Sequence, residues 1–257
     1  MHWRGSVYKN RECNFAALKG LPTFGAFLVV KLKKMIVKTC GLRDHRNIEA
    51  VAALPVDWLG FIFYSGSSRY VKPEGLASWL TRHASRLEGK KRVGVFVNAE
   101  LEQLMNIVHD CELDYVQLHG DESPDYCAEL QLLWTVGSIR SAKIIKAFHV
   151  DTAFDFSGVL PYSPYCAYFL FDTKAAGAKG GTGQQFDWAL LEQYTGQTPF
   201  LLSGGIGPDD AERVAAFRHP SLAGWDLNSR FETAPGIKNT EALSVFLQEI
   251  IVNDEGV

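Results

Sequence analysis

Short apolar segments alternate with amphipathic ones along most of the chain, starting at Met35. Eight apolar segments have the length and composition of buried strands, and they cover 35–39, 57–63, 92–97, 114–118, 143–149, 167–172, 199–203 and 223–227. Helical periodicity marks seven segments between and after them, at 47–54, 73–87, 99–111, 124–133, 186–194, 208–217 and 240–252. The connection at 151–165 carries little helical signal. Regular alternation of strands and helices predicts a parallel sheet.

The number of strand–helix units predicts an α/β protein with a single (β/α)₈ TIM barrel. Residues 35–252 supply the eight units, within the usual size of about 200 to 400 residues. A doubly wound open sheet is the alternative. Such a sheet is expected to carry a glycine-rich nucleotide loop after its first strand, where this chain has Cys40-Gly41-Leu-Arg-Asp44. Residues 253–257 are interpreted as a C-terminal tail.

Residues 1–34 differ from the rest of the chain because they are mixed, basic and without a clear period. We interpret them as a short N-terminal extension, either disordered or arising from an early start codon. A packed N-terminal helix or a partner-binding arm is the alternative.

Composition narrows the class of protein. The 257 residues are 47% hydrophobic and 21% charged with a net charge of −3, which does not favour nucleic acid or an anionic membrane as a partner. The apolar run at 23–30 is too short to span a membrane, and basic residues follow it, unlike in a signal peptide. We expect a soluble, cytoplasmic protein.

The cysteines carry a separate argument. The chain has five scattered cysteines, and no two of them form a C-x-x-C pair. They are Cys13, Cys40, Cys111, Cys127 and Cys166. This pattern argues against a disulfide framework and against a structural zinc site.

Two chemically competent residues end predicted strands. Cys40 ends the first strand and Asp172 ends the sixth, and the C-terminal ends of barrel strands are where active sites form. Period-2 alternation sends both side chains inward. A thiol and a carboxylate at one barrel mouth suit acid/base proton transfer. Other strands end in glycine, serine or asparagine, which suits phosphate, so we expect proton transfer on a phosphorylated sugar without metal or nucleotide cofactor.

Other polar residues near the strand ends are not assigned a step of the reaction. Gln117 and Lys146 are predicted to point inward without a catalytic role. His119 either faces the site or is a packed, hydrogen-bonded histidine. Asp226 is expected to orient a phosphate loop. Glu232 and Asp187 have the positions of helix-start residues.

The strand-end motifs resemble the phosphoribosylanthranilate isomerase family over about residues 35–250. The matching segments are Lys38-Thr-Cys-Gly-Leu42, Gly60-Phe-Ile-Phe-Tyr64 with Ser67-Ser-Arg-Tyr-Val71, Val93-Gly-Val-Phe-Val-Asn98, Val116-Gln-Leu-His-Gly-Asp-Glu122, Phe171-Asp-Thr-Lys174 with Gly180-Gly-Thr-Gly183 and Phe186-Asp-Trp188, Leu202-Ser-Gly-Gly-Ile206 and Asp226-Leu-Asn-Ser-Arg-Phe-Glu-Thr-Ala-Pro-Gly236. Each motif alone is weak, whereas their combination in this order is highly specific.

The resemblance implies the Amadori rearrangement of N-(5′-phosphoribosyl)anthranilate, a step of tryptophan biosynthesis. An acid protonates the furanose ring oxygen, the ring opens to a Schiff base, and a base removes the C2′ proton. Each transfer is accelerated by roughly 10²–10⁴ when a side chain is positioned for it. Neither step needs a redox or group-carrying cofactor, so none is expected.

The resemblance also assigns the residues. It makes Cys40 the general base, Asp172 the general acid and Arg69 the clamp for the anthranilate carboxylate. It places the phosphate on Gly204, Gly205, Asn228, Ser229 and Arg230. Family members often have glycine in place of Arg230, which requires a negative φ here. The partner is a small phosphorylated molecule, and the protein is expected to be a monomer or a homodimer.

The two catalytic roles make opposite demands on pKa. Cys40 should be partly thiolate, so we expect a positive neighbour, such as Lys38, to lower its pKa. Asp172 should be protonated, which burial or a nearby anion favours. The glycines at 177–183 are predicted to form a loop that closes over the substrate.

Three other functions fit this sequence less well. An indole-glycerol-phosphate synthase should have a catalytic lysine at an early strand end with acidic partners, and the sugar isomerase of the histidine pathway should pair aspartates on strands one and five. This chain has Cys40 at the first strand, and its fifth strand ends near His149. A binding protein on a degenerate barrel is the third alternative, which loss of Cys40, Asp172 or Arg69 would have favoured.

Overall fold

The computed structural model describes residues 35–137, 140–172 and 188–254, with no account of side chains beyond residue 250. The predicted extension at 1–34, the predicted closing loop at 177–183, Asp187 and residues 255–257 lie outside the described residues.

A closed barrel of eight parallel strands forms the centre of the fold, in the order β1 to β8. The strands are β1 Ile36–Thr39, β2 Trp58–Ile62, β3 Lys91–Phe96, β4 Tyr115–Leu118, β5 Lys143–His149, β6 Cys166–Asp172, β7 Phe200–Ser203 and β8 Leu222–Leu227. Every predicted strand agrees with an observed one to within one residue at each end. The predicted (β/α)₈ barrel is therefore confirmed.

The helices surround the barrel, and some are shorter than predicted. They are α1 His45–Ala52, α2 Pro73–Arg82, α3 Leu101–Asp110, α4 Pro124–Val136, α5 Ala211–Ala216 and α6 Thr240–Asp254. Single 3₁₀ segments lie at Ala84–Leu87, Phe156–Tyr162, Trp188–Gln193, Pro208–Asp210 and Ser229–Phe231. The fifth connection, which carries little helical signal, contains the 3₁₀ segment Phe156–Tyr162. The helix predicted at 186–194 is a 3₁₀ segment over the part that is described, Trp188–Gln193. A short antiparallel pair, β9 Glu232–Ala234 and β10 Ile237–Lys238, follows β8.

Helix starts follow the local sequence. The Asp44 carboxylate accepts a hydrogen bond from the Asn47 backbone N–H at 2.9 Å and so caps α1. Ser123 caps α4 in the same way and is followed by Pro124 at the first helical position, where a missing N–H costs nothing.

Two apolar layers separate the inside of the barrel from its outside. The interior layer is small and fills the barrel below its mouth, with Trp58, Val93, Tyr115, Ile145, Ala147, Leu170, Leu201 and Ala223 as its buried members. The larger outer layer packs the strands against the helices and includes Phe169 and Phe171, as predicted. Because the interior is packed with side chains, chemistry is confined to the strand ends.

Lys146 is the exception to the predicted facing of side chains. Its neighbours Ile145 and Ala147 belong to the interior layer, so Lys146 points outward instead of inward. There its ammonium donates to the Gly120 carbonyl at 2.8 Å and lies 3.3 Å from the Glu122 carboxylate. It has a structural role between sheet and helices.

Among the described residues, no helix combines the length and the apolar character needed to cross a membrane.

Candidate active site

Cys40 lies just beyond β1, at the barrel mouth. Its backbone N–H donates to the Leu227 carbonyl of β8 at 2.9 Å, which holds the residue against the next strand, and its side chain is only 3% exposed. Gly60 of β2 makes this position possible. A methyl group at Gly60 would lie 2.9 Å from the Cys40 Sγ and 3.0 Å from its Cα, so only glycine leaves room for the thiol.

Two buried charges stand beside the thiol. Lys38, also on β1, donates to the Asp226 carboxylate at 2.8 Å, and both side chains are buried. Burial disfavours a charged lysine, but the attraction of Asp226 outweighs it and raises the pKa of Lys38 above its ordinary value. Asp226 also accepts from the Ser203 hydroxyl at 3.2 Å. Asp226 therefore anchors Lys38 and contacts Ser203, which directly precedes Gly204. Its role in orienting the phosphate loop stays a prediction.

The predicted lowering of the Cys40 pKa is wrong for this structure. Burial raises the pKa of the Cys40 thiol above its ordinary value, and Lys38 offsets only part of that effect. Asp226 adds to the rise, whereas Lys238 opposes it. The free protein therefore holds Cys40 mainly as a neutral thiol at neutral pH.

Asp172 lies at the C-terminal end of β6, where it pairs in register with His149 of β5 and with Ser203 of β7. Its side chain is 6% exposed. Two histidines face its Oδ2 atom, with His119 Nε2 at 3.7 Å and His149 Nδ1 at 3.8 Å. The general-acid candidate is thus buried beneath a pair of imidazoles.

His119 makes two contacts, which correspond to its two predicted alternatives. Its Nδ1 lies 2.9 Å from the Gln117 amide nitrogen, and its Nε2 faces Asp172. Both expected features are present, because His119 is hydrogen-bonded and it also faces the site. Gln117 points inward as predicted.

Arg69 is held by Glu232 through two nitrogens. Nε donates to Glu232 Oε1 at 2.8 Å and Nη2 donates to Oε2 at 2.5 Å. Hydrogen bonding to Glu232 raises the pKa of Arg69. Burial opposes the charged carboxylate, but the hydrogen bonds from Arg69 and Lys238 outweigh it and lower the pKa of Glu232. Glu232 begins β9 and not a helix, so its interpretation as a helix-start residue is wrong.

Lys238 completes this arrangement and was not foreseen. Its buried ammonium donates to Glu232 Oε1 and to Asn228 Oδ1, each at 2.8 Å. Burial outweighs the attraction of Glu232 and lowers the pKa of Lys238. Asn47 of α1 fixes the Lys238 backbone through both of its amide atoms, at 2.8 and 2.9 Å. No motif around Glu232 or Lys238 in the sequence predicts these contacts.

Gly41 brings the carboxylate-clamp candidate and the phosphate candidate together. Its φ is +78°, and a side chain there would lie 2.7 Å from Arg69 Cδ and 2.8 Å from Asn228 Oδ1. Arg69 and Asn228 therefore both lie against the space that a side chain at Gly41 would occupy.

The other phosphate candidates follow β7 and β8. Gly204 and Gly205 have φ values of +94° and +70°, which favour glycine. Ser229 and Arg230 start a 3₁₀ turn. Among the described residues, positive φ outside glycine occurs only at Asn98 and Glu112, so Arg230 meets the requirement set for it. The Arg230 guanidinium lies over Gly207, in the loop after Gly205.

A (β/α)₈ barrel with a buried thiol, a buried carboxylate and a fixed arginine at its mouth is a barrel enzyme equipped for proton transfer on an anionic substrate. The family model of N-(5′-phosphoribosyl)anthranilate isomerase matches residues 37–249. The chain belongs to this family.

Individual relatives agree with that assignment. An N-(5′-phosphoribosyl)anthranilate isomerase of Parabacteroides distasonis is 47% identical over 84% of this chain and 94% of its own length. The crystal structure of phosphoribosyl anthranilate isomerase from Thermotoga maritima covers 85% of this chain and 100% of its own, with a TM-score of 0.71 and 28% identity. Another such isomerase was solved in complex with reduced 1-(o-carboxyphenylamino)-1-deoxyribulose 5-phosphate and has a TM-score of 0.69, 26% identity and coverage of 85% and 100%.

Proposed function

We propose that this protein converts N-(5′-phosphoribosyl)anthranilate to 1-(2-carboxyphenylamino)-1-deoxyribulose 5-phosphate in tryptophan biosynthesis. Family membership supports the reaction. The observation that carries the mechanism is the placement of Cys40 and Asp172 at the mouth of one barrel, on β1 and β6. A related isomerase binds a reduced form of this product.

Cys40 acts as the general base and Asp172 as the general acid. Asp172 protonates the furanose oxygen, and the ring opens to the Schiff base. The Cys40 thiolate then removes the C2′ proton, and the enolamine tautomerises to the ketone. Lys38 and Lys238 support the anionic form of Cys40, since both oppose the rise in its pKa. No cofactor is proposed for these steps.

Arg69 binds the anthranilate carboxylate. Its guanidinium has five N–H groups, of which Nε–H and one on Nη2 are engaged by Glu232. The Nη1 hydrogens and the second Nη2 hydrogen have no partner among the described residues. They form an edge that suits bidentate binding of a second carboxylate.

The substrate phosphate binds at Gly204, Gly205, Asn228, Ser229 and Arg230. Backbone N–H groups after β7 and β8 are the recurrent phosphate donors in such barrels. Lys238 supports this site because it holds Asn228 through its carbonyl as well as its side chain, at 3.2 and 2.8 Å. The same lysine contacts Glu232, so the carboxylate and phosphate subsites share one buried cation.

The cysteines bear on the cellular setting. We place the protein in the cytoplasm as a monomer or homodimer. The described cysteines are free thiols, in keeping with a reducing compartment. Light scattering coupled to gel filtration would decide the oligomeric state.

The decisive experiment follows the loss of phosphoribosylanthranilate fluorescence with the purified full-length protein. Cys40→Ala and Asp172→Asn should each reduce kcat by about 10² or more, while circular dichroism stays unchanged. Cys111→Ala is the matched control, because Cys111 is an equally buried thiol beside the Pro73 carbonyl on the helix layer. It should retain activity.

The outcomes separate the reaction from the residues. A folded wild type without turnover would refute the reaction. Turnover that survives Cys40→Ala would leave the reaction standing and remove Cys40 as its base.

A further inference from the structure

Three side chains with metal-binding atoms meet at the barrel mouth. His119, His149 and Asp172 each offer one ligand atom, and these atoms all lie within 4.8 Å of one another. Asp172 Oδ2 is 3.7 Å from His119 Nε2 and 3.8 Å from His149 Nδ1. Family assignment and the proposed mechanism leave the grouping of two imidazoles around one carboxylate unexplained.

The topology makes this cluster a property of the barrel itself. β4, β5 and β6 are consecutive neighbours in the closed sheet, and each of the three residues ends or directly follows one of them. His149 and Asp172 are direct register partners. Their side chains therefore leave the same rim side by side, and His119 joins them from β4.

Two of the three ligand-atom distances, 3.7 and 3.8 Å from Asp172 Oδ2, are close to those of a tetrahedral zinc site, and the third pair lies within 4.8 Å. With metal–ligand distances of about 2.0–2.2 Å, two tetrahedral ligand atoms stand roughly 3.4 Å apart. Asp172 and each imidazole therefore need to approach by only a few tenths of an ångström, and the two histidine nitrogens by no more than about 1.4 Å. His149 is 71% exposed, so little packing opposes its movement toward Asp172 and His119. Three protein ligands leave the fourth tetrahedral position to a water molecule.

Gln117 supplies the outer contact that a metal-bound histidine requires. Its amide nitrogen faces His119 Nδ1 at 2.9 Å, while its Oε1 is buried without a hydrogen-bond partner among the described residues. Rotating the amide by half a turn places Oε1 against Nδ1, which then carries the proton. The lone pair of Nε2 becomes available to a metal, and ligating histidines commonly donate their other N–H to an oxygen in this way.

We propose that His119 Nε2, His149 Nδ1 and Asp172 Oδ2 form a binding site for a divalent transition metal such as Zn²⁺, and that the bound metal inhibits the enzyme. The inhibition rests on the proposed function, because the metal occupies the carboxylate assigned as general acid. The metal-binding part stands independently of it. Imidazole and carboxylate together favour Zn²⁺, Co²⁺ or Ni²⁺ over Mg²⁺ or Ca²⁺.

Binding is tested first, without reference to activity. Zn²⁺ is titrated calorimetrically into the full-length protein, its His149→Ala variant and a His109→Ala control. His109 is an exposed histidine in the last turn of α3, away from the barrel mouth. His149→Ala should weaken binding about tenfold or more, and His109→Ala should bind as the wild type does. Equal affinity in all three proteins would overturn the site.

Inhibition is tested second, as the ratio of turnover with and without Zn²⁺ for each protein. Wild type and His109→Ala should lose turnover in competition with substrate and regain it with EDTA, whereas His149→Ala should need about tenfold more Zn²⁺. Equal inhibition of His149→Ala would assign the effect to another ligand, such as the Cys40 thiol, and refute the proposal. Tight binding at these residues with undiminished turnover would refute the inhibitory role alone. Absence of turnover by wild type without Zn²⁺ refutes the proposed function and leaves the calorimetric result intact.

Discussion

Lys38→Met tests how the barrel controls the pKa of Cys40, the proposed base. The substitution shortens the side chain by one atom and removes the charge that lies 2.8 Å from Asp226. Removing one partner of a buried ion pair leaves the other charge uncompensated and costs about 3–5 kcal/mol. The free energy of unfolding should fall by that amount, which is a large share of the stability of a typical domain, about 5–15 kcal/mol.

The same substitution acts on catalysis through Cys40. Lys38 opposes the rise in the pKa of the thiol, so its removal should raise that pKa further. Below the pKa, each unit of increase reduces the thiolate population about tenfold. The alkaline-rising limb of kcat/KM should move to higher pH. Asp226→Asn should move it to lower pH, because Asp226 contributes to the rise.

The assay combines urea unfolding, followed by circular dichroism, with kcat/KM from the fluorescence assay between about pH 6 and about pH 10. The double variant Lys38→Met/Asp226→Asn is the matched control. It removes both charges and should recover most of the lost stability, but not the turnover at neutral pH. A stability loss under about 1 kcal/mol in Lys38→Met would refute the buried-pair argument. Shifts of the limb in the same direction in both single variants would refute the electrostatic control of Cys40.

Three further predictions concern the neighbours of Cys40 and of Arg69, the proposed carboxylate clamp. Glu232→Gln removes the charge that holds the arginine clamp and should raise KM about tenfold, whereas Glu49→Gln, at a partly exposed ion pair, should leave KM unchanged in initial-rate measurements. Gly60→Ala forces a methyl group against Cys40 and should reduce kcat/KM at least about tenfold, with unchanged circular dichroism. Cys40→Ala should flatten the loss of stability at alkaline pH, measured by urea unfolding. A thiol whose pKa is raised in the folded state stabilises the fold below its unfolded-state pKa, and this stabilisation is lost as pH rises through the folded-state pKa. An unchanged dependence of stability on pH would contradict the raised pKa of Cys40.

The sequence predicts the barrel well because the relevant signals are local. Short apolar runs separated by helical patterns locate all eight barrel strands but not β9 and β10, and the strand ends place Cys40 and Asp172 at the mouth. Lys146 shows where alternation fails. Its strand is apolar on both faces, with Ile144 and Phe148 outside and Ile145 inside, as is usual for a parallel strand covered on both sides. Such a strand carries no pattern that identifies its inner face.

The candidate site is harder to predict where its partners are distant in sequence. Glu232 lies 163 residues from Arg69, and Asn47 lies 191 residues from Lys238. No local motif encodes those contacts. The pKa of Cys40 is also hard to predict from sequence. The nearby Lys38 suggests a lowered pKa, but burial raises it by more, and the extent of burial depends on the complete fold.

A raised thiol pKa is compatible with the role proposed for Cys40, because it lowers the population of the thiolate but raises the basicity of each thiolate. Burial reduces the fraction of thiolate in the free protein and makes the remaining thiolate a stronger base toward the C2′ proton. Proton abstraction also removes a buried negative charge, so the desolvation that opposes thiolate formation favours the transfer itself. Lys38 and Lys238 limit the loss of thiolate. This balance predicts a turnover that rises with pH well above neutrality and is sensitive to either lysine.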